Sequence, residues 1–184
     1  MSVLALDPAS IRTGYAYFRG PGRKVHDAGY LSGKTGKDGD KEPTDRILTM
    51  CHELRDLVEE CRPDLIAIEV TSGHVGRKRH KGGGAGLATY GMAVGGLYVY
   101  ATVLAEERIL DLWPEERMFD VWPVKENTWT GTRSKGERRA EVAMKVPRYK
   151  DAFAQDRGGD VADAIGIGWW ALAEIAMRKA VSQR

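Results

Sequence analysis

Two short apolar runs in this chain each end in an acid. Val3-Leu4-Ala5-Leu6 leads into Asp7, and Leu65-Ile66-Ala67-Ile68 leads into Glu69. Apolar runs of this length, bounded by turn chemistry, are the pattern of buried strands. An acid at the polar end of such a strand is costly to desolvate unless a cation meets it. The chain is thereby restricted to a sheet whose strand ends gather at a charged site.

The rest of the sequence completes that sheet. Thr13–Phe18 and Val25–Leu31 read as two further strands, joined across Gly20-Pro21-Gly22. Ser32–Glu42 reads as a solvated loop. Thr44–Cys61 has helical periodicity, with Ile47, Leu48, Cys51, Leu54, Leu57, Val58 and Cys61 placed on one face, and Arg62-Pro63 stops it. Ala85–Glu107 reads as a long helix rich in small residues. Gly91, Gly95 and Gly96 weaken it by about 1 kcal/mol each relative to Ala, which is easier to understand if another helix packs closely there. Met118–Trp122 reads as a fifth strand ended by Pro123, Gly136–Val146 as a charged helix stopped by Pro147, and Val161–Val181 as the last helix. Three meandering strands followed by strand–helix crossovers give a mixed α/β order in one domain over residues 1–184.

Composition bounds the partners. A net charge of +2 over 184 residues means that any nucleic-acid surface must come from clustering. Cys51 and Cys61 lie too far apart on one helix to bridge each other, and neither has a zinc-site partner, so both are expected to be reduced thiols. The N-terminus enters a strand without a signal peptide, and the apolar stretches are interrupted by Gly or charge before a membrane-spanning length. The expectation is a cytoplasmic protein that does not engage a membrane.

Asp160 and Asp163 stand three apart at the head of the last helix, which places both carboxylates on one face. Each of the four acids has a structural reading. Asp7 could cap a turn with Pro8 and Ser10, Glu69 could mark a strand end, and an Asp before a helix favours its N-terminus. Taken jointly, two strand-end acids and two acids on one helix face form an oxygen-donor set that suits Mg²⁺ or Mn²⁺. Two ions clamping the attacking and leaving oxygens of a phosphodiester need one bridging carboxylate and others outside it. Asp7, on the first and most central strand, is the natural bridge.

Ala5-Leu6-Asp7-Pro8-Ala9-Ser10-Ile11-Arg12-Thr13-Gly14-Tyr15 resembles the first motif of RuvC-type Holliday-junction resolvases. Ile66-Ala67-Ile68-Glu69 resembles their second, and Asp160-Val161-Ala162-Asp163-Ala164 with its hydrophobic helix resembles their last. Order, spacing and length agree over essentially the whole chain. The resemblance implies an RNase H-like fold, a mixed five-stranded sheet flanked by helices. It implies a homodimeric endonuclease of DNA recombination and repair that nicks opposing strands of a four-way junction with two Mg²⁺ or Mn²⁺ ions per site. Asp7, Glu69, Asp160 and Asp163 become the metal-binding catalytic set, and Lys125 and Lys135 stand where the family places functional lysines.

Independently of that likeness, Gly131-Thr132-Arg133-Ser134-Lys135-Gly136 is a basic loop opening a helix, suited to a phosphate. Arg77, Lys78, Arg79 and Lys81 form a second basic cluster, flanked by Gly82-Gly83-Gly84, that suits phosphate contacts without base readout. It stands where the bacterial family tends to carry an aromatic wedge; the run after Glu69 has no Phe or Tyr, a divergence that fits a phage version. Of the five tryptophans, Trp129 is the one whose basic surroundings suggest base stacking. The expected DNA contacts are thus Arg77, Lys78, Arg79, Lys81, Lys125, Arg133 and Lys135. The rival readings are an RNase H-like nuclease acting on another branched DNA or on RNA, similar to the YqgF branch; a phosphotransferase of the actin-like superfamily, which needs two such domains; and a non-catalytic junction-binding protein, against which all four acids stand.

Overall fold

Residues 1–20, 22, 24–32, 42–70, 83–106, 119–149, 156 and 158–183 are described in a computed structural model of the chain. Strand β1 (Ser2–Asp7) is the middle of a five-stranded sheet. It pairs antiparallel with β2 (Thr13–Arg19), which pairs antiparallel with β3 (Val25–Leu31). On its other side β1 runs parallel to β4 (Leu65–Val70), and β4 parallel to β5 (Asp120–Lys125). The order β3-β2-β1-β4-β5 is the mixed five-stranded sheet expected from sequence.

Alternation along β1 and β4 explains the layers. Val3 and Ala5, with Leu65 and Ala67, point to one face and pack on α5 (Asp160–Ser182). Leu4 and Leu6, with Ile66 and Ile68, point to the other and pack on α1 (Pro43–Cys61) and α2 (Gly83–Glu106). Both strands are buried on both faces, which is why their sequences read as unbroken apolar runs.

Several boundaries depart from the sequence reading. Leu48 of α1 is 58% exposed, and Met50 takes the core position instead. Strand β5 does not end at Pro123 but continues to Lys125, with Pro123 opposite Ile68. An edge strand tolerates proline, because one side of its backbone has no ladder to join. A short helix α3 (Glu126–Thr130) follows immediately, before α4 (Lys135–Lys145) and a turn of 3-10 helix at Pro147–Tyr149. Cys51 and Cys61 are both free thiols on α1.

Helix α2 overturns one expectation. Its glycines do not interrupt its hydropathy: Gly86–Glu106 is long and apolar enough to cross a membrane by length and composition, with mean hydropathy 1.4. In the fold it packs beside α1 and the sheet, burying Ala93, Leu97, Ala101 and Leu104. Its other face leaves Leu87, Met92 and Val99 exposed.

Candidate active site

The sheet register brings the first two acids together. Leu4 pairs with Ile66 and Leu6 with Ile68 across parallel strands, so the next step sets Asp7 beside Glu69. Both residues share the parity of Val3, Ala5, Leu65 and Ala67, and so face the α5 side of the sheet.

Close backbone packing brings the other two. Gly14 pairs with Asp7 across β1 and β2. A Cβ on Gly14 would lie 2.2 Å from the Asp160 carbonyl oxygen, so the start of α5 rests directly on β2 at the level of Asp7. Asp160 does not cap α5. That role belongs to Asp156, which sequence reasoning missed. Its Oδ1 accepts from the Asp160 amide (2.9 Å) and its Oδ2 from the Ala162 amide (3.3 Å). With Asp156 satisfying the helix end, the side chains of Asp160 and Asp163 both reach one pocket with Asp7 and Glu69.

That pocket encloses about 400 Å³. Five carboxylates line it, the fifth being Glu126 at the start of α3, against the three bases Arg133, Lys135 and Arg138. Tyr90 of α2 lines it too. Lys135, at the head of α4 behind a Ser134/Glu137 capping box, sets its Nζ 3.3 Å from Asp163 and 3.6 Å from Asp160. Arg12 adds a contact of the same length to Asp160 (3.6 Å) and reaches Asp156 at 3.9 Å.

Arg138 was not legible as a site residue, and Trp129 was legible only in another role. Arg138 donates from Nε to Asp163 Oδ1 (2.8 Å) and from Nη2 to Oδ2 (2.9 Å), a two-pronged contact between two buried groups. Its guanidinium lies 5.0 Å from the centre of the Trp129 ring. Trp129 is buried, and its Nε1–H donates to Glu69 Oε2 at 2.7 Å. This corrects the base-stacking reading: the ring is packed inside, holding a carboxylate.

The other basic residues divide. Arg133 lines the pocket but donates to the Thr130 and Trp129 carbonyls and to Glu141, joining α3 to α4. Lys125 is exposed at the end of β5 and is not among the lining residues. Arg77, Lys78, Arg79 and Lys81 lie outside the described residues.

The electrostatics follow from this crowding. Burial, then the charges of Glu69, Asp163 and Asp160, push the Asp7 carboxyl well above the usual range, with Lys135 opposing. Burial raises Glu69 to about 7 against the pull of the Trp129 hydrogen bond, and burial is also the leading cause of the upward shift at Asp160. Burial disfavours the Lys135 charge, but Asp163, Asp7 and Asp160 outweigh it and the net shift is upward. An all-oxygen donor set whose members repel one another fits a hard divalent cation, which would relieve that repulsion. Among the described residues no three acids converge tightly enough to form a ready ion cage. The side-chain contacts say why: Asp163 is turned to Arg138, Glu69 to Trp129, and Asp160 to Lys135 and Arg12.

No family model matches the chain. In sequence it is 37% identical over 67 residues to the crossover junction endodeoxyribonuclease RuvC of Marinobacter nauticus, a match spanning 36% of this chain and 37% of that relative. In structure it is similar to Thermus thermophilus RuvC in complex with Holliday junction substrate, with TM-score 0.64, 16% identity and 96% of each chain covered. A second Thermus thermophilus RuvC structure gives TM-score 0.60 at 17% identity, covering 96% of this chain and 97% of that one. The yeast mitochondrial Holliday junction resolvase Ydc2 gives 0.54 at 17% identity, covering 92% of this chain and 79% of that one. The chain has the RNase H-like fold of RuvC, and it resembles the RuvC-type resolvases in sequence as well as in architecture.

Proposed function

We propose that this chain is a structure-selective endonuclease that resolves four-way DNA junctions by paired nicking, using two Mg²⁺ or Mn²⁺ ions per site and acting as a homodimer. The observation that carries the reading is the convergence of Asp7, Glu69, Asp160, Asp163 and Lys135, from four separate elements, on one pocket. The likeness to RuvC supports junction DNA as the substrate.

Asp7 would stand between two ions, with Glu69 on one side and Asp160 and Asp163 on the other. Such ions supply a Lewis-acid clamp on the attacking and leaving oxygens of an in-line phosphodiester displacement. The chain's own contribution is to place that clamp and to steady the phosphate. Lys135 sits at the pocket beside two of the acids, where its ammonium can meet charge developing on the phosphate. Arg77, Lys78, Arg79, Lys81, Lys125 and Arg133 are proposed contacts to the DNA backbone, and phosphate contacts position a duplex without reading it.

The homodimer would form through the outer face of α2, where Gly91, Met92, Gly95 and Val99 recur at helical spacing on the exposed side. Two pockets would then be presented to two strands of one junction.

A substrate panel tests the reading. A synthetic mobile four-way junction, a linear duplex and an RNA–DNA hybrid are each incubated with Mg²⁺, Mn²⁺ or EDTA. Symmetric nicking of the junction alone, abolished by EDTA, is expected. Preferential cleavage of the hybrid would move the chain to the RNA-directed branch of the fold.

A further inference from the structure

We propose that Arg138 is a built-in counter-cation: it holds Asp163 while the pocket lacks a divalent ion and competes with that ion for the carboxylate. This deepens the metal reading given above and rests on it.

Three observations carry the inference. The first is the completeness of the contact. Both Asp163 oxygens accept from Arg138, at 2.8 and 2.9 Å, and Asp163 is 4% and Arg138 8% exposed. An ion taking either oxygen must share it with one prong of that fork, beside a buried positive charge. The second is that Arg138 is anchored independently of Asp163. Its Nη1 donates to the Arg133 carbonyl at 3.1 Å, and its guanidinium packs over Trp129. The guanidinium therefore stays beside the pocket when Asp163 turns away, and its charge continues to oppose an incoming cation. The third is the arrangement of the acids. Five of them line one pocket, yet among the described residues no three are gathered as an ion cage, and the Asp163 oxygens point to Arg138.

The physical logic is that a buried carboxylate without a cation is strongly unfavourable, whereas one paired with arginine is tolerated. Arg138 thus lets the acidic pocket fold without metal, and it sets a threshold concentration that the ion must exceed. Lys135 does not duplicate this. It is exposed, makes longer contacts and is shared between Asp160 and Asp163.

The test reads ion binding rather than cleavage. Thermal unfolding of EDTA-treated, dialysed protein is followed while Mn²⁺ is added, and half-saturation is taken from the rise in melting midpoint. Arg138→Met is expected to melt lower than wild type without Mn²⁺ and to half-saturate at about tenfold less Mn²⁺, the scale of one charged hydrogen bond. Arg138→Lys keeps the charge but loses the fork, so its half-saturation should fall between the two. If Arg138→Met shows no unfolding transition without metal, Arg138→Lys carries the test alone, and half-saturation equal to or above wild type overturns the inference. A merely structural arginine would lower the midpoint equally with and without Mn²⁺, leaving half-saturation unchanged; that result also overturns it. If wild type itself shows no Mn²⁺-dependent rise, the metal reading of the pocket falls and this inference with it. A wild-type rise that Arg138→Met leaves unaltered removes this inference alone.

Discussion

Helices α2 and α5 are both rich in small residues, yet their glycines meet different surroundings. On α5 a Cβ at Gly166 would lie 2.5 Å from the Trp129 ring, and one at Gly168 would lie 2.0 Å from Phe18. Opposite α5, Gly14 admits the Asp160 backbone. On α2, among the described residues, a Cβ at Gly86, Gly91 or Gly95 meets nothing within 4 Å, whereas one at Gly96 meets Ile47 at 3.0 Å. In the first helix the missing side chains are explained by packing within the chain, and that packing sets Asp160 and Asp163 against Asp7. In the second, no such neighbour is found for Gly86, Gly91 and Gly95 among the described residues. Small residues therefore mark close approach only when the approaching atoms can be named. Around α5 they build the site, and on α2 they leave a smooth apolar face suited to a second copy.

The comparison breaks most visibly at the site itself. Asp7→Asn is expected to reduce junction cleavage to background while junction binding survives, because a bridging ligand loses its charge and no DNA contact is removed. Assembly through the outer face of α2 should be unaffected, since Asp7 is buried whereas Met92 and Val99 on that face are exposed. Gel assays of cleavage and binding on the same junction separate the two outcomes, and wild-type cleavage in this variant would remove the site assignment.

The next effect is on folding. Gly14→Ala adds a methyl against backbone atoms, which unlike a side-chain tip cannot swing away. A loss of about 2–3 kcal/mol is expected in urea unfolding, with weaker Mn²⁺ binding because the head of α5 must move. A variant with wild-type stability would mean that α5 does not rest on β2 as described.

How much of this was legible follows from the range of each interaction. The end of an apolar run is local, so Asp7 and Glu69 could each be read as strand-end acids from sequence alone, while the parallel pairing that sets them side by side is not local. The spacing of Asp160 and Asp163 is local in the same sense. Asp156 as the cap of α5 was not legible: it stands four residues before the helix, and its side chain reaches forward to two amides. Arg138 meets Asp163 across 25 residues and Trp129 meets Glu69 across 60, and no periodicity reports such contacts. Trp129 was misread for a related reason: Arg133 and Arg138 do lie beside it, but its ring is buried and its Nε1–H is committed to Glu69. Pro123 misled through a rule for central strands, because its position at the sheet edge is a property of the whole topology.

A smaller effect concerns pH. Glu69 is raised to about 7 and Asp7 is raised as well, so each binds its proton more tightly folded than unfolded. Such groups contribute stability fully below their unfolded values, near 4.5 for Glu69, and lose it as pH rises through the folded value. EDTA-treated protein should therefore melt lower at about pH 8 than at about pH 5, with the Glu69 part of the fall running from 4.5 to about 7 and levelling off above it. Saturating Mn²⁺ should flatten the profile by binding the ionised acids, and Glu69→Gln should reduce it without metal. A metal-free midpoint that rises over this interval would contradict the repulsion inferred at the pocket.

The least change to the folded chain is expected on α2. Among the described residues a Cβ at Gly95 meets nothing within 4 Å, so Gly95→Leu points into open space there. Leucine favours helix over glycine by up to about 1 kcal/mol, so the isolated protomer should hold or gain stability, in contrast to Gly14→Ala. A leucine there would nevertheless separate two copies paired along this face. Light scattering at micromolar concentration should show a dimer for wild type and a monomer for the variant, with paired nicking reduced to single nicks at unchanged Mn²⁺ half-saturation. If the variant remains dimeric, the open glycines of α2 do not mark the interface, and the contrast between the two helices would hold for the active site but not for assembly.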